Sequence, residues 1–315
     1  MKHVAFSVVL ALTFSVAIHV ASAQAQYVRT CVSANGNDAN TCHCSQPCRT
    51  FQRAHDQTLD QGEMTVLDPG GYGPVTITKS ISIVNDGVGE ASIQVSGGGT
   101  GITVNAGNGG GFVNLRGITI QGVGFGGGTG LRFNTGFTLT MENCVVRNHT
   151  GSGIQFLPNA SRNLSVSNTL VADNGGDGIA VASGVGTVKI ALNKVEVYNN
   201  SFNGILAIGL SGAGTINAIV TDTVVANNGR TGFFVISTSG SATTSLMLDR
   251  SVAANNGTGL SADGAPATLR VGQSTITGNT FSWSVANSAV LRSYGDNNID
   301  GNGDGDPAPT TTATK

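Results

Sequence analysis

Asn199-Asn200-Ser201-Phe202-Asn203-Gly204-Ile205 is the stretch that decides the fold, because the chain keeps returning to it. Related turns stand at Asn174-Gly-Gly-Asp-Gly178-Ile179, Asn227-Asn228-Gly-Arg-Thr-Gly232-Phe233 and Asn255-Asn256-Gly-Thr-Gly259-Leu260. From Gly153 to Gly178 to Gly204 to Gly232 to Gly259, the steps are 25, 26, 28 and 27 residues. A self-similar period in this range is the mark of a solenoid.

Aligning the copies on this turn sorts the residues around it. Leu164-Ser-Val166, Ile190-Ala-Leu192, Leu246-Met-Leu248 and Leu269-Arg-Val271 share one register, with first and third residues inward. A second short run carries Val171, Val197, Val225 and Ile276 inward, and Asn174, Asn200, Asn228, Asn256 and Asn279 then fall in one column. A third run, seen in Ile154-Gln-Phe156, Ile179-Ala-Val181, Ile205-Leu-Ala207 and Phe233-Phe-Val235, closes the unit. Alternation with β-branched residues is strand signal. The expected fold is all-β: a single-stranded right-handed parallel β-helix, three short strands per coil. Asparagine tolerates the left-handed backbone of a sharp bend, and its amide can bond the same amide one coil away, so the column is expected to be a structural ladder. His149 falls in this column and is read as a turn residue.

Outside the repeats, residues 1–25 read as a signal peptide: Lys2, the apolar run Val4 to Val20, and small residues around Ala23. Residues 26–62 read as a disulfide-rich cap, 63–303 as the β-helix and 304–315 as a disordered tail. In the cap, Cys31, Cys42, Cys44 and Cys48 point to two disulfides in an exported chain. More than one pairing is open; the expected one joins Cys42 to Cys48 and Cys31 to Cys44. Zinc held by Cys42, His43, Cys44 and Cys48 is the alternative, at a spacing that fits no standard zinc pattern. Thr50 to Leu59 reads as a short amphipathic helix with Thr50 as N-cap, covering the open bottom of the solenoid. Cys144 is expected to be a buried free thiol. Early strands are expected at Met64–Leu67, Val75–Ile77, Ile81–Ile83, Ile102–Val104 and Leu115–Ile120.

Glycine, at 46 of 315 residues, is about twice its usual share, and charged residues make up only 11%. A net charge of −2 gives no electrostatic footing for nucleic acid or an anionic membrane. No stretch after the leader is apolar enough to span a bilayer.

Three further blocks carry a resemblance: Val32-Ser-Ala-Asn-Gly36-Asn-Asp38, Pro47-Cys48-Arg-Thr50-Phe51-Gln52-Arg-Ala54, and Gly71-Tyr72-Gly-Pro-Val75-Thr-Ile77-Thr-Lys79-Ser-Ile81-Ser-Ile83. With the repeats and the last coil, Ser293 to Asn302, they resemble secreted pectin-lyase-like β-helix repeat proteins over nearly the whole mature chain. The resemblance implies the fold and a link to polysaccharide. It does not imply an activity, since the family spans lyases, hydrolases, esterases, epimerases and tailspikes, and fold does not fix function. The hydrolase signatures Gly-His-Gly, an adjacent Asp pair and Arg-x-Lys do not occur.

The candidate sites follow from the alignment. The outward column of the third strand reads Arg132, Gln155, Ala180, Leu206, Phe234 and Ser261, without a carboxylate. The bend between the first two strands holds Lys194, Asp222, Asp249 and Arg250. Asp222 and Asp249 lie 27 apart, so they are expected to stack as an acid/base or calcium-binding pair, with Lys194 and Arg250 facing an acidic sugar. The bland alternative is a solvated ridge. Asp296, Asn298, Asp300 and Asp304 resemble a calcium loop with Gly301 sixth, but Pro307 stands where a bidentate glutamate belongs. Gly122-Val-Gly124-Phe-Gly-Gly127 matches a dinucleotide fingerprint in letters only and reads as a loop. The function expected is non-catalytic polysaccharide binding or surface association. The alternatives are a lyase or epimerase on an acidic glycan, with calcium as the possible cofactor, and a purely structural or adhesive module.

Overall fold

The computed structural model describes residues 26–107 and 110–313. The expected signal peptide, residues 1–25, lies outside them. The described chain is a right-handed parallel β-helix of three sheets, with 11, 10 and 9 strands, here called sheets 1, 2 and 3 in the order the chain visits them. Every ladder between successive coils is parallel, so each side chain sits above its counterpart at about 4.8 Å spacing.

The inward columns fall where the repeat places them. Leu164, Ile190, Ala218, Leu246 and Leu269 stack in sheet 1. Val171, Val197, Val225, Ala253 and Ile276 stack in sheet 2, and Ile154, Ile179, Ile205, Phe233 and Leu260 in sheet 3. Most are fully buried and form one continuous core. The run Leu115–Ile120 is two strands rather than one: Gly117, with φ 70°, turns the chain from Phe112–Arg116 in sheet 1 to Ile118–Gly122 in sheet 2.

Two hydrogen-bonded ladders brace the corners. At the second corner, each asparagine amide donates to the next coil's amide oxygen, from Asn174 through Asn200, Asn228, Asn256 and Asn279 to Asn302, at 2.9–3.1 Å. The same oxygens accept the backbone N–H of the residue one coil below. The left-handed turn and the ladder prove to be divided between neighbours. Asp173, Asn199, Asn227 and Asn255 take φ of 54–57°, while the following asparagine carries the amide bonds. The glycine of each repeat is required by the same packing: a Cβ on Gly178 would meet Val197 Cγ1 at 2.4 Å and Asn200 Nδ2 at 2.9 Å. At the first corner a hydroxyl ladder does similar work. Val195 N–H donates to Thr223, Thr223 N–H to Ser251, and Ser251 N–H to Ser274, at 3.1–3.3 Å.

The cap joins the solenoid instead of sitting below it. Strand β1 (Tyr27–Val32) pairs with β2 (Thr58–Val66), the first two strands of sheet 1, so the boundary expected at 62/63 runs through a strand. Helix α1 (Phe51–Gln57) is shorter than expected. Thr50 caps its N-terminus by accepting from Arg53 N–H at 3.2 Å, and Thr58 leaves helical geometry, which puts Leu59 on β2 and exposed. Phe51 and Ala54 are buried, Phe51 against Tyr72 at 5.0 Å. The disulfides are Cys31–Cys44 and Cys42–Cys48, which rules out zinc on these cysteines. The loop they staple also hydrogen-bonds along β1 through Cys42 and Cys48, covering an edge that would otherwise invite pairing.

The far end is closed as well. Residues 304–313, expected to be disordered, fold back on the last coil. Ser293 exchanges backbone bonds with Thr310 and Thr312, and Trp283 Nε1 donates to the Pro307 carbonyl at 2.7 Å. Asp306 ends the asparagine ladder, accepting from Asn302 Nδ2 at 2.7 Å and from the N–H groups of Gly301 and Asn302.

Candidate functional site

The charged ridge lies at the first corner, where the chain leaves sheet 1. Asn143, Asn168, Lys194, Asp222, Arg250 and Gln273 each hold left-handed backbone there, with φ of 45–53°. Asp222 and Asp249 do not stack. The strand register pairs Thr221 with Asp249, and Asp222 lies below Arg250, 28 residues on. The 27-residue step between Gly232 and Gly259 comes from the asparagine turn itself, which spans four residues from Asn228 to Gly232 and three from Asn256 to Gly259. The first corner keeps its 28-residue step, and a slip of one residue gives a side chain a different role.

The outcome is an ion-paired cluster. Arg250 grips Asp222 through Nε to Oδ1 at 3.0 Å and Nη2 to Oδ2 at 3.2 Å, and its Nη1 contacts Asp249. Asn193 adds a bond to Asp222 at 3.2 Å. Hydrogen bonds and charge from Arg250 hold the Asp222 carboxyl below the usual carboxylate range, and those to Asp222 push the guanidinium up. A carboxylate so held is a poor general base, and Arg250 stands between Asp222 and Asp249, bonded to both. Lys194 acts on Asp222 through its charge alone.

The expected calcium loop is not assembled either. Asp296 accepts from Gln273 N–H at 3.1 Å, and Asp304 accepts from Ser282 N–H and Oγ at 2.8 Å each, so both carboxylates clamp the last coil to the one before it. Asn298 pairs in sheet 2 with Thr275. Among the described residues no group of three or more His, Cys, Asp or Glu side chains is placed to hold a metal. His149 is fully buried in the asparagine column, its Nε2 3.3 Å from the Ile120 carbonyl and its Nδ1 without a partner.

One surface with room for a ligand is the outer face of sheet 1, beside the ridge. Asn163, Lys189, Asn217 and Ser245 form one outward column, and Ser165, Ala191, Ile219 and Met247 the next. All but Met247 line a shallow groove of about 490 Å³. Ile219 is 47% exposed at its centre. The outward column of sheet 3 is in register as expected, Arg132 to Gln155 to Ala180 to Leu206 to Phe234 to Ser261, but Ala180 and Leu206 are buried, so it offers no open track. These two columns contain no carboxylate or histidine and so carry no catalytic signature in the sequence. The signal available was the outward alternation itself, Lys189, Ala191 and Asn217, Ile219.

No protein-family model matches this sequence, and no curated protein matches it. Among solved structures, the chain is similar to pectate lyase Pel9A, with a TM-score of 0.58 and 16% identity over 89% of this chain and 81% of that one. It is also similar to a rhamnogalacturonan lyase (TM-score 0.46, 13% identity, 79% and 76% covered). A third likeness is to the A-module of Azotobacter vinelandii mannuronan C-5 epimerase AlgE4 (0.38, 13%, 81% and 89%). The first of these shows the shared fold.

Proposed function

We propose that this protein is exported and binds a polysaccharide along the outer face of sheet 1 without cleaving it. The observation that carries the reading is the pair of in-register columns on that face, Asn163–Lys189–Asn217–Ser245 beside Ser165–Ala191–Ile219–Met247. A polymer of repeating units is matched by a surface that repeats at each coil. Amides and hydroxyls suit sugar hydroxyls, and the apolar strip suits the C–H faces of pyranose rings. The non-catalytic half rests on the ridge, whose two carboxylates are both engaged by Arg250. Export is supported by two disulfides, which persist in oxidising compartments. No helix among the described residues is long and apolar enough to cross a membrane.

The test is affinity electrophoresis through gels containing neutral or uronic-acid polysaccharides. Against its own mobility in a gel without polysaccharide, wild-type protein is retarded in at least one gel and Ile219→Asp is not. Equal retardation of the two proteins, or none of either, in every gel contradicts the reading.

A further inference from the structure

A second feature lies on the same face, nearer the N-terminal cap. Phe112 opens its sheet 1 strand as an outward residue and is 50% exposed; Phe137, at the start of the next coil, is 41% exposed. Their rings meet edge to face with centroids 5.3 Å apart, giving one apolar platform on the surface. Neither ring serves the core, which the inward residues Val113 and Leu139 fill.

Phe112 lines a cleft of about 490 Å³ that spans three coils, a size typical of small-molecule sites, and Phe137 extends the aromatic surface beyond that lining. Its polar side chains are those of Asp60, Gln61, Ser80, Ser82 and Asn114. Several are already oriented by the chain. Asp60 Oδ1 accepts from Ser80 N–H at 2.9 Å, Ser80 Oγ accepts from Phe112 N–H at 3.2 Å, and Asn114 Nδ2 donates to Ser82 Oγ at 3.3 Å. Gly110 and Gly111 put no side chain on the rim. The cation nearest in sequence, Lys79, is turned away, donating to the carbonyls of His55 at 2.9 Å and Thr58 at 2.6 Å.

We infer that this cleft is a subsite for a neutral pyranose unit, stacked on Phe112 and Phe137 and hydrogen-bonded by Asp60, Ser82 and Asn114. An aromatic platform takes the apolar face of a sugar ring, while a carboxylate and an amide hold its hydroxyls. Among the described residues that line the cleft the charged one is Asp60, so it selects against uronates and other anionic sugars. The inference rests on the proposal that the face of sheet 1 binds glycan. It adds the chemical class of the unit bound and the place where it is anchored.

The experiment is isothermal titration of the full chain with cellohexaose, mannohexaose and hexagalacturonate, using wild type, Phe112→Ala/Phe137→Ala, Asp60→Asn and Ile219→Asp. Circular dichroism confirms that each variant is folded. The inference predicts that a neutral hexasaccharide binds at least tenfold more tightly than hexagalacturonate, and that the double phenylalanine variant loses at least tenfold of that affinity. Asp60→Asn narrows the preference. If Ile219→Asp abolishes binding while the phenylalanine variant binds as wild type, the cleft inference fails and the groove reading stands. If hexagalacturonate binds more tightly than both neutral hexamers, the inference is likewise overturned. Binding of none of the three sugars overturns the inference, and affinity electrophoresis across polysaccharides then decides the reading it rests on.

Discussion

Replacing Asn228 by alanine tests the asparagine ladder at one of its most completely bonded members. Asn228 Oδ1 accepts from Asn200 N–H at 3.1 Å and Asn200 Nδ2 at 2.9 Å, and its own Nδ2 donates to Asn256 Oδ1 and to the carbonyls of Val197 and Ala226. In Asn228→Ala, the buried Asn200 N–H loses its acceptor, at a cost of about 1–3 kcal/mol. The remaining losses are partly offset, because Asn200 Nδ2 keeps a bond to the Val171 carbonyl and Asn256 Oδ1 keeps the Asn228 N–H. Counting these at a fraction of the roughly 1 kcal/mol typical of a net hydrogen bond brings the total to about 2–4 kcal/mol. Asn227, one residue earlier, is exposed and contributes only its left-handed backbone, so Asn227→Ala costs about 1–2 kcal/mol and Asn227→Gly close to nothing. Urea unfolding followed by circular dichroism gives both values if the slope is unchanged, and hydrogen exchange at the Asn200 amide reports the local loss. If Asn228→Ala costs no more than Asn227→Ala, the division of labour within the pair is wrong.

Other predictions follow from single groups. Burial holds the His149 imidazole below its ordinary pKa of 6.5, so the unfolded chain takes up a proton the folded one resists; stability therefore falls as pH drops below about 6.5. His149→Asn, which can donate into the ladder, raises the urea midpoint and removes His149's share of that slope, leaving the part due to His55, which is depressed in the same way. Desolvation pushes the Cys144 thiol up to about 11, so iodoacetamide at pH 8 leaves the native protein unlabelled and labels it in urea. Arg250→Ala moves the Asp222 carboxyl, followed by NMR titration, up toward the ordinary 3.8, and an unmoved titration contradicts the ion pair as its cause.

What the sequence revealed and what it hid have the same origin. The inward columns were readable because a buried position in a solenoid tolerates few residue types, and Val171, Val197 and Val225 announce themselves coil after coil. Cys42–Cys48 and Cys31–Cys44 were within reach because the four cysteines are so close. The register of Asp222 against Asp249 was not, because a one-residue deletion in the asparagine turn changes the apparent period without moving the first corner. The hydroxyl ladder of Thr223, Ser251 and Ser274 was hidden by the ordinariness of its residues, one position after each left-handed bend. The tail was misread because its composition is polar and proline-bearing, whereas Asp304 and Asp306 bind it to the last coil through groups that composition does not weigh.

The central claim, binding without cleavage, is tested most directly by co-elution. The protein is incubated with a retained polysaccharide, with and without calcium, and the complex is isolated by size-exclusion chromatography. The length of the bound polymer is then compared with the input. Binding without cleavage gives co-elution of protein with polymer of unchanged length. Shortened products that disappear in Asp222→Ala and Asp249→Ala would contradict it.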